Sequence, residues 1–130
     1  PFCRWLTSRK EVKHTKQSLS SGLNKGGGMA NGASKRGIQR ERDRVNWYRE
    51  RDWFAMRAPA SLGPVDVIAI KDGEIRFEEL KSTKAGPFHS FGPADRAELS
   101  FMAKLAGASA TLVWWPPRSK PVEIPESAWP

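Results

Sequence analysis

The chain has 130 residues, of which 38% are hydrophobic and 28% charged, and it carries a formal net charge of +8. That length suits one core, since single domains typically occupy about 100–150 residues. No stretch approaches the ~18 consecutive apolar residues of a membrane span. The N-terminal region lacks the apolar run of a secretory signal, so a cytoplasmic setting is expected. Cys3 is the single cysteine, which excludes an internal disulfide framework and a cysteine-cluster zinc site. His14 and His89 have no metal-ligand spacing. The charge is uneven. The first 44 residues hold 11 Lys and Arg against 3 acids, whereas the remainder holds 11 of each. A basic third of this kind makes nucleic acid the first partner to consider.

Residues 1–36 read as a basic, Gly/Ser-rich tail. Ser18, Ser20, Ser21 and Gly26-Gly27-Gly28 are accompanied by few large apolar residues after Leu6, too few to offset the entropy of ordering. Met29-Ala30-Asn31-Gly32 resembles a natural start, so residues 1–28 are expected to lie outside the native coding sequence. The competing reading is a basic arm that touches phosphates. The folded domain is expected over 37–130.

A helix is predicted over 37–52, because Ile38, Val45 and Tyr48 fall within an arc of about 80° at 100° per residue. Arg40, Arg44, Trp47 and Arg51 lie on its opposite side. Gly63-Pro64 punctuates the chain before a β-branched strand, Val65–Ile70. Asp72-Gly73 between apolar runs predicts a two-residue type I′ hairpin, with Ile75–Lys81 returning. A loop follows with Gly86, Pro87, His89, Gly92 and Pro93, then a helix over Ala94–Leu105 stopped by Gly107. Thr111–Trp115 forms a third strand, halted by Pro116-Pro117, and Val122–Ile124 a short edge strand. The expected fold is α/β: a single small domain with a mixed central sheet flanked by helices and an α-β-β-α-β core.

The hairpin register has a chemical consequence. It places Ile70 opposite Ile75, Ile68 opposite Phe77 and Asp66 opposite Glu79, with Lys81 on the same face. Like charges opposed across a ladder destabilise it unless neutralised, and a hard divalent cation such as Mg²⁺ takes oxygen ligands and retains water for chemistry. Mn²⁺ is expected to substitute. Glu41 lies between Ile38 and Val45 on the apolar side of the first helix, where a charge is costly without a partner. If that stripe packs on the Ile68/Ile70/Ile75/Phe77 face, Glu41 joins Asp66, Glu79 and Lys81 at one point. Taken singly, each has a plainer explanation: a solvated strand face, turn chemistry, or a surface pair with arginine.

Gly37-Ile38-Gln39-Arg40-Glu41-Arg42, Arg57-Ala58-Pro59-Ala60-Ser61, Val65-Asp66-Val67-Ile68-Ala69 and Glu79-Leu80-Lys81-Ser82-Thr83-Lys84 resemble the PD-(D/E)xK nucleases. Within that superfamily they are most similar to the archaeal-type Holliday junction resolvases, over about residues 36–115. The resemblance implies Asp66, Glu79 and Glu41 as metal-binding carboxylates joined by the carbonyl of Leu80. It implies Lys81 beside the nucleophilic water and Ser61 near the scissile phosphate. The chain departs from the pattern in Pro64-Val65-Asp66, where Pro-Asp would stand, and in a slightly long Ser61–Asp66 spacing. It also implies a homodimer cutting opposed strands of a four-way junction, with no small-molecule cofactor and no membrane partner.

Phosphate contacts are expected from Lys35, Arg36, Arg40, Arg42, Arg57 and Lys84, since non-specific grip on DNA comes from Lys and Arg. Of Trp114 and Trp115, one is expected in the core and the other at a dimer interface. Two other functions stay open: a nuclease of the same fold acting on linear, flap or single-stranded DNA, and a non-catalytic nucleic-acid-binding module.

Overall fold

The computed structural model describes residues 32–59 and 62–130. Helix α1 (Gly32–Arg49) leads into strand β1 (Phe54–Arg57), and β2 (Val67–Lys71) and β3 (Glu74–Lys81) form a hairpin. Helix α2 (Pro93–Ala106), strands β4 (Ser109–Trp114) and β5 (Val122–Pro125), and a 3₁₀ turn (Glu126–Ala128) complete the chain. The five strands lie in chain order across one sheet. Only β3 and β4 run parallel, because α2 is the crossover between them; the other neighbours are antiparallel.

Helix α1 begins five residues before the expected start and ends three before the expected stop. Its end is a hydrogen-bonded cap: Asp52 has φ 63°, its N–H donates to the Arg49 carbonyl, and the Trp53 N–H reaches back to the Tyr48 carbonyl at 3.1 Å. An aspartate in the left-handed position gives a weaker sequence signal than glycine, so the sequence pattern alone extends the helix to residue 52. Strand β1 was not expected. Phe-Ala-Met-Arg has no β-branched residue, and its strand character comes from pairing with β2, Ala55 against Ala69 and Met56 against Ile68.

The hairpin turns as predicted. Asp72 and Gly73 have φ 50° and 81°, the two positive values of a type I′ turn, and Ile70 faces Ile75 while Ile68 faces Phe77. Helix α2 starts with Pro93 in its first turn and stops at Gly107, φ 65°.

Among the described residues, each face of the sheet carries one helix. Val45 and Tyr48 of α1 pack with Ala55, Val67 and Ala69, joined by Trp53 and Leu80. On the other face Leu99 and Ala103 of α2 pack with Val65, Phe91, Ala110 and Leu112, joined by Ile68 and Phe77. Helix α1 therefore covers the face opposite to the expected one. Both faces of β2 are apolar, so composition does not distinguish them. The small side chains of Ala55 and Ala69 give a flat floor for the α1 aromatics. Trp115 is buried, as expected for one of the tryptophan pair, and Trp114 is half-buried.

The principal surprise is polar. Arg44, expected on the exposed side of α1, is buried. Its Nε and Nη2 donate to both carboxylate oxygens of Glu78 at 2.8 and 2.7 Å, and Nη2 also reaches Glu123 on β5 at 2.5 Å. Tyr48 donates its hydroxyl to Glu78 at 2.5 Å. Burial works against the Arg44 charge, but the Glu78 hydrogen bonds and charge outweigh it and hold the guanidinium firmly protonated. Burial, then the Glu78 charge, pushes the Tyr48 hydroxyl above its ordinary range. This bidentate pair joins α1, β3 and β5. Arg44→Ala is expected to destabilise the fold by about 3–5 kcal/mol, because it strands a buried carboxylate. Replacing the pair together, Arg44→Met with Glu78→Leu, should recover most of that loss, as read by equilibrium urea denaturation.

Candidate active site

Strand β2 begins at Val67, and Asp66 stands immediately before it. The Asp66 N–H donates to the carbonyl of Glu78 at 2.8 Å, although Glu78 is already the ladder partner of Val67. Two residues of one strand thus share one partner, the pattern of a β-bulge, which re-aims a side chain at the edge of a sheet. The expected direct opposition of Asp66 and Glu79 is accordingly replaced: the ladder stops at Val67–Glu78. The Asp66 carboxylate takes up the backbone instead, Oδ2 accepting the Leu80 N–H at 2.8 Å. Its own carbonyl accepts the Ala58 N–H at 2.8 Å, tying the bulge to β1.

Glu79 follows Glu78 on β3, so the pleat sends it to the opposite, α2-bearing face. It is buried. Oε1 pairs with Lys81 Nζ at 2.5 Å, one pleat repeat further along. Oε2 is buried with no hydrogen-bond partner, an arrangement that is costly in a closed core. Desolvation is the main cause that raises both carboxyls above the ordinary carboxylate range. For Asp66 it is countered by the Leu80 hydrogen bond and reinforced by the charge of Glu41. For Glu79 it is reinforced by the charge of Asp66 and countered by Lys81.

Asp66, Glu79 and Lys81 therefore share one small region. Glu41 is a neighbour of another kind: its Oε2 accepts from Arg57 Nε at 2.6 Å, so its negative charge is taken up by a cation. Among the described residues no three acidic, histidine or cysteine side chains are grouped closely enough to hold a metal by themselves. The Glu41 charge nonetheless reaches Asp66, which places it at the border of the site. Asp66 and Glu79 are its two desolvated carboxylates, with the Leu80 carbonyl nearby in sequence. They fit a hard oxygen-seeking cation, because Glu79 Oε2 is an unsatisfied buried acceptor and the pair is destabilised when both are ionised. Ser61 lies outside the described residues.

Five of the six expected phosphate contacts line two grooves. Arg42 and Arg57 line one of about 360 Å³, with Arg49. Arg36, Arg40 and Lys84 line another of about 460 Å³. Lys35 is exposed near the start of α1. In the loop before α2, Phe91 enters the core and Phe88 packs against it, leaving His89 exposed. The sequence reading missed Arg44, Glu78 and Glu123. One signal was present: two consecutive glutamates on a strand buried on both sides force one of them onto each face.

The raised carboxyls make the metal-free protein less stable as pH rises. Between the ordinary carboxylate range and the raised values the folded state binds more protons than the unfolded chain, so stability falls across that window. Glu79→Gln is expected to raise the thermal midpoint in EDTA at about pH 8 and to have little effect at about pH 4, where the carboxyl is mostly protonated in both states. Thermal denaturation followed by circular dichroism measures the difference.

No described helix is long and apolar enough to cross a membrane. No curated protein sequence matches the chain. Among solved structures the chain is similar to Archaeoglobus fulgidus Hjc, a Holliday junction resolvase from an archaeal hyperthermophile, with a TM-score of 0.61 and 22% identity. That alignment covers 71% of this chain and 74% of the other, and it bears out the nuclease-like mixed α/β fold. The sequence model of the family described as archaeal Holliday junction resolvase (hjc) matches residues 32–126. The chain that places Asp66, Glu79 and Lys81 on one β-hairpin therefore belongs to the archaeal Holliday junction resolvase family.

Proposed function

We propose that this protein is a Mg²⁺-dependent endonuclease that resolves four-way DNA junctions by paired, symmetric nicks. The observation that carries the reading is the desolvated pair Asp66 and Glu79, one oxygen of Glu79 left unpartnered, with the Lys81 ammonium in contact with the other. Asp66, Glu79 and the Leu80 carbonyl would hold the cation, and Glu41, whose charge reaches Asp66, is proposed as its further carboxylate. When bound, it supplies Lewis-acid charge to the phosphoryl group and makes water more acidic.

The chain's own groups supply the rest. Lys81 acts first as a fixed positive charge beside the phosphate and the attacking water. Water adds in line to phosphorus and the P–O3′ bond breaks, which leaves a 3′-hydroxyl and a 5′-phosphate. Glu41 holds Arg57 through their 2.6 Å pair, which presents the guanidinium beside the acids. Arg42 shares that groove and would grip the adjoining backbone, while Lys35 reaches phosphates from the start of α1. Ser61 is proposed near the scissile phosphate on the resemblance alone. Mn²⁺ is expected to replace Mg²⁺ because it too accepts oxygen ligands in octahedral geometry.

A homodimer supplies the second site. Helix α2 packs over β3 and β4, on the face of the sheet that also carries Phe54 and Met56 of β1. There Phe54 and Met56 are 61% and 40% exposed, and Phe101 and Leu105 on α2 are 62% and 73% exposed. Exposed apolar side chains in this number on so small a domain mark an interaction surface, and a two-fold contact buries the same patch on both copies.

The test is cleavage of a mobile four-way junction, a linear duplex, a flap and structured RNA, each with Mg²⁺ or EDTA. Paired symmetric nicks in the junction are expected, and Asp66→Asn or Lys81→Ala should lower the rate at least ~100-fold. Cleavage of the linear duplex at the junction's rate would leave a nuclease without junction selectivity; binding with no cleavage of any substrate would end the enzyme reading. Separately, Leu105→Glu with Phe101→Glu should shift the protein to monomer in sedimentation equilibrium and replace paired nicks by single ones.

A further inference from the structure

The groove beyond the ends of β3 and β4 is not explained by the chemistry at Asp66 and Glu79. It encloses about 460 Å³ between three segments: the start of α1, Ser82–Lys84 after β3, and the turn after β4. The segments are fastened together. The Trp115 N–H donates to the Lys81 carbonyl at 2.8 Å, and the Trp114 indole N–H to the Thr83 carbonyl at 3.0 Å. The groove therefore starts at the backbone of the lysine whose side chain contacts Glu79. It occupies the crevice at the carboxyl ends of two parallel strands, the usual place for ligands in α/β sheets.

Its charge is of one sign. Arg36, Arg40, Lys84 and Arg118 line it, and among the described residues no acidic one does. All four are exposed, and among the described residues none forms an ion pair. They come from three separate segments, so they are not one charged helix face. Trp115, Pro116 and Pro117 add an apolar lining, with the Arg40 guanidinium 5.5 Å from the Trp115 ring centroid. Arg118 has φ 58°, in the region that glycine or asparagine adopts with least strain. Turn geometry does not account for a long cation at that position.

We propose that this groove binds the sugar–phosphate backbone of the DNA flanking the strand held at Asp66 and Glu79, with Arg118 as a phosphate contact. Four unpaired cations without an interleaved acid fit a repeating anion. The spread over a concave surface fits a polymer better than a single phosphate. Continuity with Lys81 makes it an extension of the acidic site. The inference rests on the nuclease reading only for the identity of that polymer.

The full-length protein is titrated in EDTA with a fluorescein-labelled four-way junction, by anisotropy at several KCl concentrations. Arg118→Asn, compatible with the left-handed backbone, is expected to weaken binding several-fold and to reduce the slope of log affinity against log salt by about 0.9, one phosphate contact. Arg118→Lys should restore the slope. Lys84→Gln, on the neighbouring segment, should reproduce the loss and serves as the reading should the turn variant misfold. Wild-type affinity and slope in folded Arg118→Asn and Lys84→Gln would overturn the proposal. Displacement of the junction by polyglutamate as readily as by unlabelled duplex of equal charge would assign the groove to acidic polypeptides and also overturn it. If the variants lose binding while the wild-type protein cuts no DNA with Mg²⁺, the nuclease reading fails and the groove stands.

Discussion

The pleat of β3 imposes the constraint on which the rest of the molecule depends. Glu78 and Glu79 are consecutive, so they must leave the strand on opposite faces, and each face is covered by a helix. Two carboxylates are thereby taken out of water within a single residue step. They are treated differently. Glu78 receives a bidentate guanidinium and a tyrosine hydroxyl, which satisfies it within the fold. Glu79 receives one ammonium and keeps an oxygen without a partner. Permanent neutralisation on one side anchors the strand; incomplete neutralisation on the other leaves capacity for a ligand.

The bulge at Asp66 is the second device. A regular ladder would have set Asp66 squarely against Glu79, with no room between two charges. By sharing Glu78 with Val67 and directing its carboxylate to the Leu80 N–H, Asp66 stays beside Glu79 while its position is fixed by main chain. The raised carboxyls are the energetic trace of this arrangement. A site that binds nothing would be expected to relax that strain through a further cation or hydrogen bond. Its persistence is the physical argument for an exogenous positive charge, and local destabilisation of this kind is common where proteins bind or catalyse.

Charge at larger scale follows the same division. Asp66 and Glu79 stand together at the end of the hairpin away from its turn, and seven cations, Arg36, Arg40, Arg42, Arg49, Arg57, Lys84 and Arg118, line two grooves. Near-neutral net charge over residues 45–130 therefore conceals separated signs. Separation, more than the total, governs how a polyanion is steered. The excess of positive charge in the first 44 residues pointed to a fitting partner, yet the groups with the geometry for chemistry lie in the balanced part.

Much of this was legible in the chain itself. Asp72-Gly73 determined the turn, and with it the register that sets Ile68 against Phe77 and brings Glu79 and Lys81 to one face, because a two-residue turn leaves no freedom in pairing. Gly107 determined the end of α2, because only the left-handed conformation closes that helix. The family motif singled out Asp66, Glu79 and Lys81. What only tertiary structure decided were the quantities that depend on distant partners. The face of β2 that receives α1 was undetermined, since both faces are apolar. Strand β1 exists through its pairing, not its composition. Arg44 is buried because Glu78, 34 positions away, supplies its counter-charge, and Glu41 is paired with Arg57, 16 positions away. Local sequence specifies turns, caps and register through backbone geometry; which charges become buried, and against what, is fixed only when separate segments exclude water together.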